Sequence, residues 1–257
     1  MEPQFYKGNR DAFMEKLEPG SLALFFSGSP VRKTADEDYG YFANRNFVYL
    51  TGMEQKDTVL MMEKDASGYR ETLFILPPNL IEERWTGSRM KPEEIEAVSM
   101  ISSFAYKETF EEELKKVLTS GRIQKVYLDI DRMEGQVVVS AADSMEAFLK
   151  QEYPSMPIEN SLPIMKMLRL IKKPCEIRAM EKAQEITKAG ILAMMTHSKP
   201  GMYEYQYKAE YDYALAQHGV LEAGFPSIIS AGKNNFCIHY YGSVSYTHLT
   251  LPTILRV

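Results

Sequence analysis

The segment SLALFFSG, residues 21–28, is the first strand-like run of the chain and the starting point for predicting its fold. It is a compact apolar run that ends at a glycine, which is typical of a buried strand. The runs at 46–52, 57–64 and 71–78 have the same strand-like composition. Amphipathic helical patterns and one further strand-like run then alternate: 91–100, 109–118, 124–130 and 140–153. The sequence therefore predicts an α/β domain over residues 1–160, with a mixed sheet flanked by helices. We expect its core to include Phe47, Val48, Leu50, Val59, Leu60, Leu73, Phe74 and Ile75.

Composition and charge narrow the classes of function. The chain has 257 residues, 45% of them hydrophobic and 25% charged, and its net charge is −5. This is a globular composition, and the acidic balance, with no basic stripe, argues against a nucleic-acid partner. No apolar run reaches the roughly 18 residues of a membrane span, and the N-terminus lacks a signal-peptide pattern. The only cysteines, Cys175 and Cys237, do not form a disulfide framework. We therefore expect a cytoplasmic protein with reduced thiols and no membrane partner.

The character of the chain changes after residue 153. YPSMPIENSLPIMKMLRLIKKP, residues 153–174, contains four prolines, and we interpret 161–173 as a linker with a short helix. An amphipathic helix is predicted from Pro174 to about residue 197, and another over 203–218. Two strand-like runs, SIISA at 227–231 and FCIHYY at 236–241, predict a hairpin with a turn at GKNN.

Two side chains are candidates for a site. Trp85 is the only tryptophan and lies between Arg84 and Arg89, so it either lines a pocket or is a half-buried packing residue. His239 lies within an apolar run, where a histidine is either functional or a satisfied core residue. The acidic clusters at 36–38 and 129–131 are expected in a solvated loop and at a strand end rather than in a metal site.

Five motifs resemble one enzyme family in its order and spacing. FANRNFVYLTGMEQKDTVLMM (42–62) and EERWTGSR (82–89) resemble the N-terminal domain of the aminopeptidase P group. Three later segments are similar to the opening of the group's catalytic domain. That domain has the pita-bread fold shared with prolidase, creatinase and methionine aminopeptidase. The three segments are MLRLIKKPCEIRAMEKAQEITKAGILAMM (167–195), KPGMYEYQYKAEYDYALAQHG (199–219) and FPSIISAGKNNFCIHYYG (225–242). The resemblance covers residues from about 5 to 243 and implies an incomplete pita-bread domain at 174–243.

The resemblance implies a function for the parent protein. That function is removal of the N-terminal residue that precedes proline in a peptide, by a homo-oligomeric metallopeptidase with two divalent ions, expected to be manganese. The family's counterpart of His239 contacts substrate on the primed side, where the proline binds. Its counterpart of Trp85 lies near the active-site mouth of a neighbouring subunit. Open alternatives are a prolidase or creatinase-like hydrolase, and a non-catalytic binding or assembly module of the same fold.

The chain departs from the family pattern after Gly242. The family's metal ligands, which are two aspartates, one histidine and two glutamates, all follow the histidine–tyrosine strand, and nothing similar occurs here. We therefore assign no catalytic or metal-ligating residue, expect no bound metal, and expect this chain to be inactive.

Residues 244–257 form the last segment of the chain. VSYTHLTLPT, residues 244–253, is similar to the translation of a transposase adapter used in sequencing libraries. We interpret residues 244–257 as an artefactual tail that packs poorly, and we do not consider His248 a metal ligand.

Overall fold

The chain forms two compact units in a computed structural model that describes residues 1–132, 134–135 and 139–242. The first unit comprises residues 1–171 and the second starts at Lys172. The predicted poor packing of residues 244–257 lies outside the described residues. The helices and strands of the first unit are α1 (Pro3–Glu15), β1 (Ser21–Phe26), β2 (Arg32–Thr34), β3 (Glu37–Asp38), α2 (Arg45–Thr51), β4 (Val59–Asp65), β5 (Gly68–Ile75), α3 (Leu80–Thr86), α4 (Pro92–Ser99), β6 (Phe104–Tyr106), α5 (Phe110–Thr119), β7 (Lys125–Leu128), α6 (Ala141–Glu152), β8 (Ile158–Asn160) and α7 (Leu162–Leu170).

A six-stranded mixed sheet organises the first unit. Its strand order is β6-β5-β4-β1-β7-β8, and β4 is antiparallel to both neighbours while the other pairs are parallel. Strands β2 and β3 form a separate two-stranded sheet. Side chains alternate between the two faces of a strand, so the two faces of β1 contribute to two separate hydrophobic cores. Ala23 and Phe25 pack with α1 and α2, whereas Leu22 and Leu24 pack with α5 and α6. The predicted α/β fold is thereby confirmed.

The segment 46–52 is a helix, so its prediction as a strand is wrong. The side-chain oxygen of Asn44 accepts hydrogen bonds from the backbone N–H groups of Asn46 and Phe47, at 2.8 and 2.9 Å, and so caps α2. Gly52 ends the helix with φ of 75°, where a Cβ would lie 2.5 Å from the Tyr6 ring. Of the expected core residues, all but Val48 are buried, because the helix turns Val48 partly toward solvent.

Helix α7 belongs to the first unit, although the sequence places it in a linker. Met165 is fully buried in the core beside α1. The Tyr49 hydroxyl donates to the Leu168 carbonyl at 3.1 Å, and Arg169 Nη1 donates to Asn46 Oδ1 at 2.7 Å. Packing and hydrogen bonds therefore hold this helix against the α/β layers, and the first unit extends past residue 160.

The second unit contains two long helices, as predicted. They are α8 (Pro174–His197) and α9 (Glu204–Gln217), and a 3₁₀ turn follows over Gly232–Phe236. The helices approach closely at Gly190, where a Cβ would lie 2.5 Å from the Tyr211 ring. An apolar cavity of about 590 Å³ lies beside this crossing, lined by Ile186, Met194 and Phe225 among others. Several apolar side chains of α8 remain exposed, including Met180 and Met195.

The predicted hairpin at 227–241 is wrong for the described residues. Neither 227–231 nor 236–241 forms a strand, and the second unit shows no strand within its described part. An isolated two-stranded hairpin is only marginally stable without further strands or a helix against its apolar face. The segment instead follows an irregular path around the 3₁₀ turn.

Candidate functional site

His239 lies in an exposed turn rather than inside a buried strand. Its ring stacks on Tyr241, with ring centroids 6.1 Å apart and an interplanar angle of 12°. The imidazole is therefore available to solvent and to a ligand, and the interpretation of His239 as a satisfied core residue does not apply in this structure. Its predicted contact with substrate stays a prediction.

The segment that carries His239 is held by a buried carboxylate. Glu204, the first residue of α9, is fully buried. Its Oε1 atom accepts from the backbone N–H of Ala231 at 2.7 Å and from Asn234 Nδ2 at 3.0 Å. Its Oε2 atom accepts from the hydroxyl of Tyr240 at 2.9 Å. The carboxylate thus joins the start of α9 to the residue that follows His239.

Trp85 lies on the exposed surface of the first unit. Its side chain is 87% exposed, and Leu80 and Ile81 of the same helix are also largely exposed. The expectation of a half-buried packing tryptophan is therefore wrong. Because α3 is short and buries none of its residues, its three large apolar side chains form a small patch that we call the α3 patch (Leu80, Ile81 and Trp85).

Charged groups fix the helix that carries Trp85. Lys56 Nζ lies 3.1 Å from Glu82 Oε1, and Arg89 pairs with the other oxygen of the same carboxylate. Arg89 also donates to the Pro77 carbonyl. The hydrogen bond from Lys56, together with Arg89, holds the pKa of Glu82 below its ordinary value. These contacts anchor α3 by its polar side and leave the α3 patch facing solvent.

Trp85 and His239 belong to different compact units. Within residues 1–132, 134–135 and 139–242, no group of three or more histidine, cysteine, aspartate or glutamate side chains could hold a metal ion. The described residues thus do not provide the donor set that a two-metal site requires.

A crevice with both polar and apolar walls lies at the carboxyl ends of β1 and β7 in the first unit. It has a volume of about 380 Å³, and Ser27, Asn44 and Asp129 are among the residues that line it. Asn46 Nδ2 lies 2.8 Å from Asp129 Oδ1, and Asn44 Nδ2 lies 3.1 Å from Oδ2. Burial raises the pKa of Asp129 above 3.8, and the hydrogen bonds from the two asparagines only partly offset it. Asp129 directly follows β7, at the strand end expected from sequence, and it is a buried acid.

The raised pKa of Asp129 predicts a pH-dependent loss of stability. A carboxyl with a raised folded-state pKa contributes most stability below its ordinary value and loses that contribution as pH rises through the folded value. Asp129→Asn removes this titration. We expect the free energy of unfolding of the variant, relative to the unsubstituted chain, to increase with pH from about pH 4 upward.

The measurement is urea unfolding of the 257-residue chain at a series of pH values. The substitution also alters the hydrogen bonds of residue 129, which changes the free energy of unfolding by the same amount at every pH. Only the change of the free-energy difference with pH therefore reports the titration of Asp129. Asp131→Asn removes only the neighbouring charge that helps to raise the pKa of Asp129, so the slope that it produces should be smaller than that of Asp129→Asn. A difference between Asp129→Asn and the unsubstituted chain that does not change with pH would show that Asp129 titrates normally.

Two known families match the two units in order. Residues 6–127 match the family described as Aminopeptidase P, N-terminal domain. The first unit is an aminopeptidase P N-terminal domain. Residues 178–250 match Metallopeptidase family M24, so the second unit is the beginning of an M24 domain of the pita-bread fold. The M24 match extends seven residues into the segment 244–257.

Similar proteins support the same assignment over most of the chain. The Xaa-Pro aminopeptidase of Escherichia coli K12 is 28% identical over 247 residues, which are 92% of this chain and 54% of that protein. The Xaa-Pro aminopeptidase of Haemophilus influenzae is 24% identical, and the match covers 91% of this chain and 52% of that protein. The chain thus spans about half the length of these curated relatives.

Solved structures give the same result for the aminopeptidase P fold. Proline aminopeptidase P II from Yersinia pestis superposes with a TM-score of 0.82 at 26% identity, covering 95% of this chain and 56% of that one. Aminopeptidase P from E. coli with the inhibitor Pro-Leu gives a TM-score of 0.81 at 25% identity, with 95% and 56% covered.

Sequence reasoning missed the acidic anchor of the second unit. Glu204 lies in the first turn of α9, where acids usually remain in solvent and interact with the helix dipole. Only the amphipathic pattern was available from sequence, and it does not distinguish a buried glutamate from an exposed one. The three partners of Glu204 lie 27, 30 and 36 residues away, so no local motif reveals them.

Proposed function

We propose that the complete protein is a Xaa-Pro aminopeptidase. The observation that carries this proposal is the order of its parts, an aminopeptidase P N-terminal domain followed by the opening of an M24 domain. Relatives named Xaa-Pro aminopeptidase match over about nine tenths of this chain. The proposed substrate is a peptide with proline at its second position, and the product is the released N-terminal residue.

A divalent metal centre is part of the proposal for the complete protein. M24 is a metallopeptidase family, and paired metals in hydrolases lower the pKa of a bridging water and polarise the scissile carbonyl. We propose manganese. A zinc-substituted E. coli aminopeptidase P in complex with product is among the similar structures, so zinc is the comparison metal in any assay.

His239 and Trp85 are the proposed substrate-contacting residues. The exposed imidazole of His239 supports a contact with the peptide on the primed side of the scissile bond. The exposure of Trp85 supports a role for the α3 patch at the active-site mouth of a neighbouring subunit, and thus a homo-oligomer. A cytoplasmic location is proposed from the two free cysteines among the described residues.

Residues 244–257 are proposed to be foreign to the native fold. The ten-residue similarity to an adapter translation supports this, and it implies that the native continuation starts near residue 243. Determining the coding sequence from independent molecules tests the point. A coding sequence that again reads VSYTHLTLPT would contradict it.

His239→Ala tests the proposed contact in the protein extended to the length of its relatives. The substitution removes a hydrogen-bonding side chain from the proline side of the site. We expect kcat/KM for an Xaa-Pro-Xaa peptide to fall by about 10²-fold, with bound metal unchanged. Release of the N-terminal residue measures turnover, and elemental analysis measures the metal.

His218→Ala is the matched control, because His218 is exposed at the end of α9. It should leave kcat/KM within about twofold of the unsubstituted enzyme, as distant surface substitutions usually do. An active enzyme that His239→Ala does not impair would remove His239 from the site. Cleavage of Xaa-Pro dipeptides alone would favour a prolidase, activity on creatine-like amidines a creatinase-like hydrolase, and a metal-free inactive protein a non-catalytic module.

A further inference from the structure

One buried side chain, Glu204, accepts hydrogen bonds from three residues of the segment that carries His239. The regular structure of the 227–242 stretch is limited to one 3₁₀ turn and a turn at 238–239, and no sheet ladder holds the stretch among the described residues. His239 itself is exposed, so burial of its ring does not fix it. Its neighbour Tyr240 is partly buried and donates its hydroxyl proton to Glu204.

The Glu204 carboxylate connects three points of this stretch. It accepts from Ala231 before the 3₁₀ turn, from Asn234 within the turn, and from Tyr240 after it. Asn234 Nδ2 also lies 3.0 Å from the Tyr240 hydroxyl, which closes a ring of hydrogen bonds. A buried carboxylate is costly unless such donors satisfy it, so the donors must adopt one arrangement around it.

Capping of α9 does not account for Glu204. Gln206 Oε1 accepts from the backbone N–H of Tyr203 at 2.7 Å and thereby satisfies the residue that precedes the helix. The Glu204 side chain is instead directed to residues 27, 30 and 36 positions farther along the chain. Its contacts serve the following segment rather than its own helix.

We propose that Glu204 is the positioning residue that sets the placement of His239 through Tyr240. The functional consequence rests on the proposed peptidase function, in which His239 contacts the peptide. A shortened side chain at position 204 frees the 231–240 stretch, and the imidazole then samples many positions instead of one.

Hydrogen exchange of the 257-residue chain tests the anchor directly. We expect Glu204→Ala to accelerate amide exchange over 231–240 by about tenfold or more, as loss of hydrogen bonds to a charged acceptor implies. Glu204→Gln keeps one carbonyl acceptor and should restore part of the protection at Ala231. Glu210→Ala is the matched control on the same helix, since the hydrogen-bonding partner of the Glu210 carboxylate is His197 rather than a residue of the stretch.

The imidazole signal of His239 provides the second readout. In the unsubstituted chain, we expect the imidazole NMR resonance of His239 to differ in chemical shift from that of a histidine in an unstructured peptide. In Glu204→Ala, we expect it to move to the chemical shift of the unstructured histidine. Tyr240→Phe removes one hydroxyl and leaves Ala231 bonded, so it should shift the His239 signal with little change in exchange at Ala231. His239→Ala assigns the resonance.

Unchanged exchange over 231–240 in Glu204→Ala would overturn the proposal. If Glu204→Ala also unfolds α8, Tyr240→Phe decides: an unchanged His239 signal in that variant overturns the proposal, and a shifted one supports it. Neither readout requires turnover, so failure of this inference is distinguishable from failure of the proposed peptidase function.

Discussion

A fragment that ends at residue 160 is expected to be far less stable than one that ends at residue 171. The shorter fragment lacks α7, whose Met165 is fully buried in the core. It also loses the hydrogen bonds from Tyr49 to Leu168 and from Arg169 to Asn46. Loss of one buried methionine side chain alone costs about 2–5 kcal/mol, within a typical total of about 5–15 kcal/mol. We expect the midpoint of thermal unfolding to fall by roughly 4–20 °C.

Differential scanning calorimetry of the two fragments measures this effect. The 1–171 fragment should unfold in one cooperative transition, as single domains of this size usually do. Within it, Met165→Ala should reproduce much of the loss. Met167→Ala is the matched control, because Met167 is 66% exposed on the same helix, and its effect should stay within about 0.5 kcal/mol. Equal midpoints for the 1–160 and 1–171 fragments would show that α7 is not part of the domain.

Four strands of the sheet in the first unit, β1, β4, β5 and β7, were predictable because their signals are local, whereas β6 and β8 were not predicted. The runs at β1, β4 and β5 are apolar, short and bounded by turn residues, and all of them form strands. The segment 46–52 has equally strand-like residues but is a helix, because Asn44 caps its start and Gly52 ends it. Asn44 was visible in the sequence as a possible capping residue. Its Oδ1 atom caps α2 while its Nδ2 atom donates to Asp129, and this distant partner could not be read from the sequence.

The second unit shows what local patterns cannot supply. Strand-like residues at 227–231 and 236–241 form no strand, since a strand needs a hydrogen-bonding partner that sequence alone does not guarantee. The buried state of Glu204 depends on donors from distant residues and was equally invisible. Family resemblance located His239, whereas only the structure shows how its segment is held.

Peptidase turnover is the property for which we expect the largest difference between the 257-residue chain and the complete protein. Enzymes accelerate their reactions by about 10⁶-fold or more, and a hydrolase of this class depends on metals held by protein carboxylates. The described residues of this chain bring no such ligand group together. The chain also leaves apolar side chains of α8 exposed, which favours self-association in solution. We therefore expect no stoichiometric manganese and no cleavage for this chain, and both for the complete protein.

Release of the N-terminal residue from an Xaa-Pro-Xaa peptide distinguishes the 257-residue chain from the complete protein. The 257-residue chain and the protein encoded by the uninterrupted gene are compared with manganese, with zinc and with a chelator. The account predicts metal-dependent release by the complete protein and a rate for this chain equal to that of the peptide alone. Turnover by the purified 257-residue chain, or its absence in the folded, metal-loaded complete protein, would contradict the account.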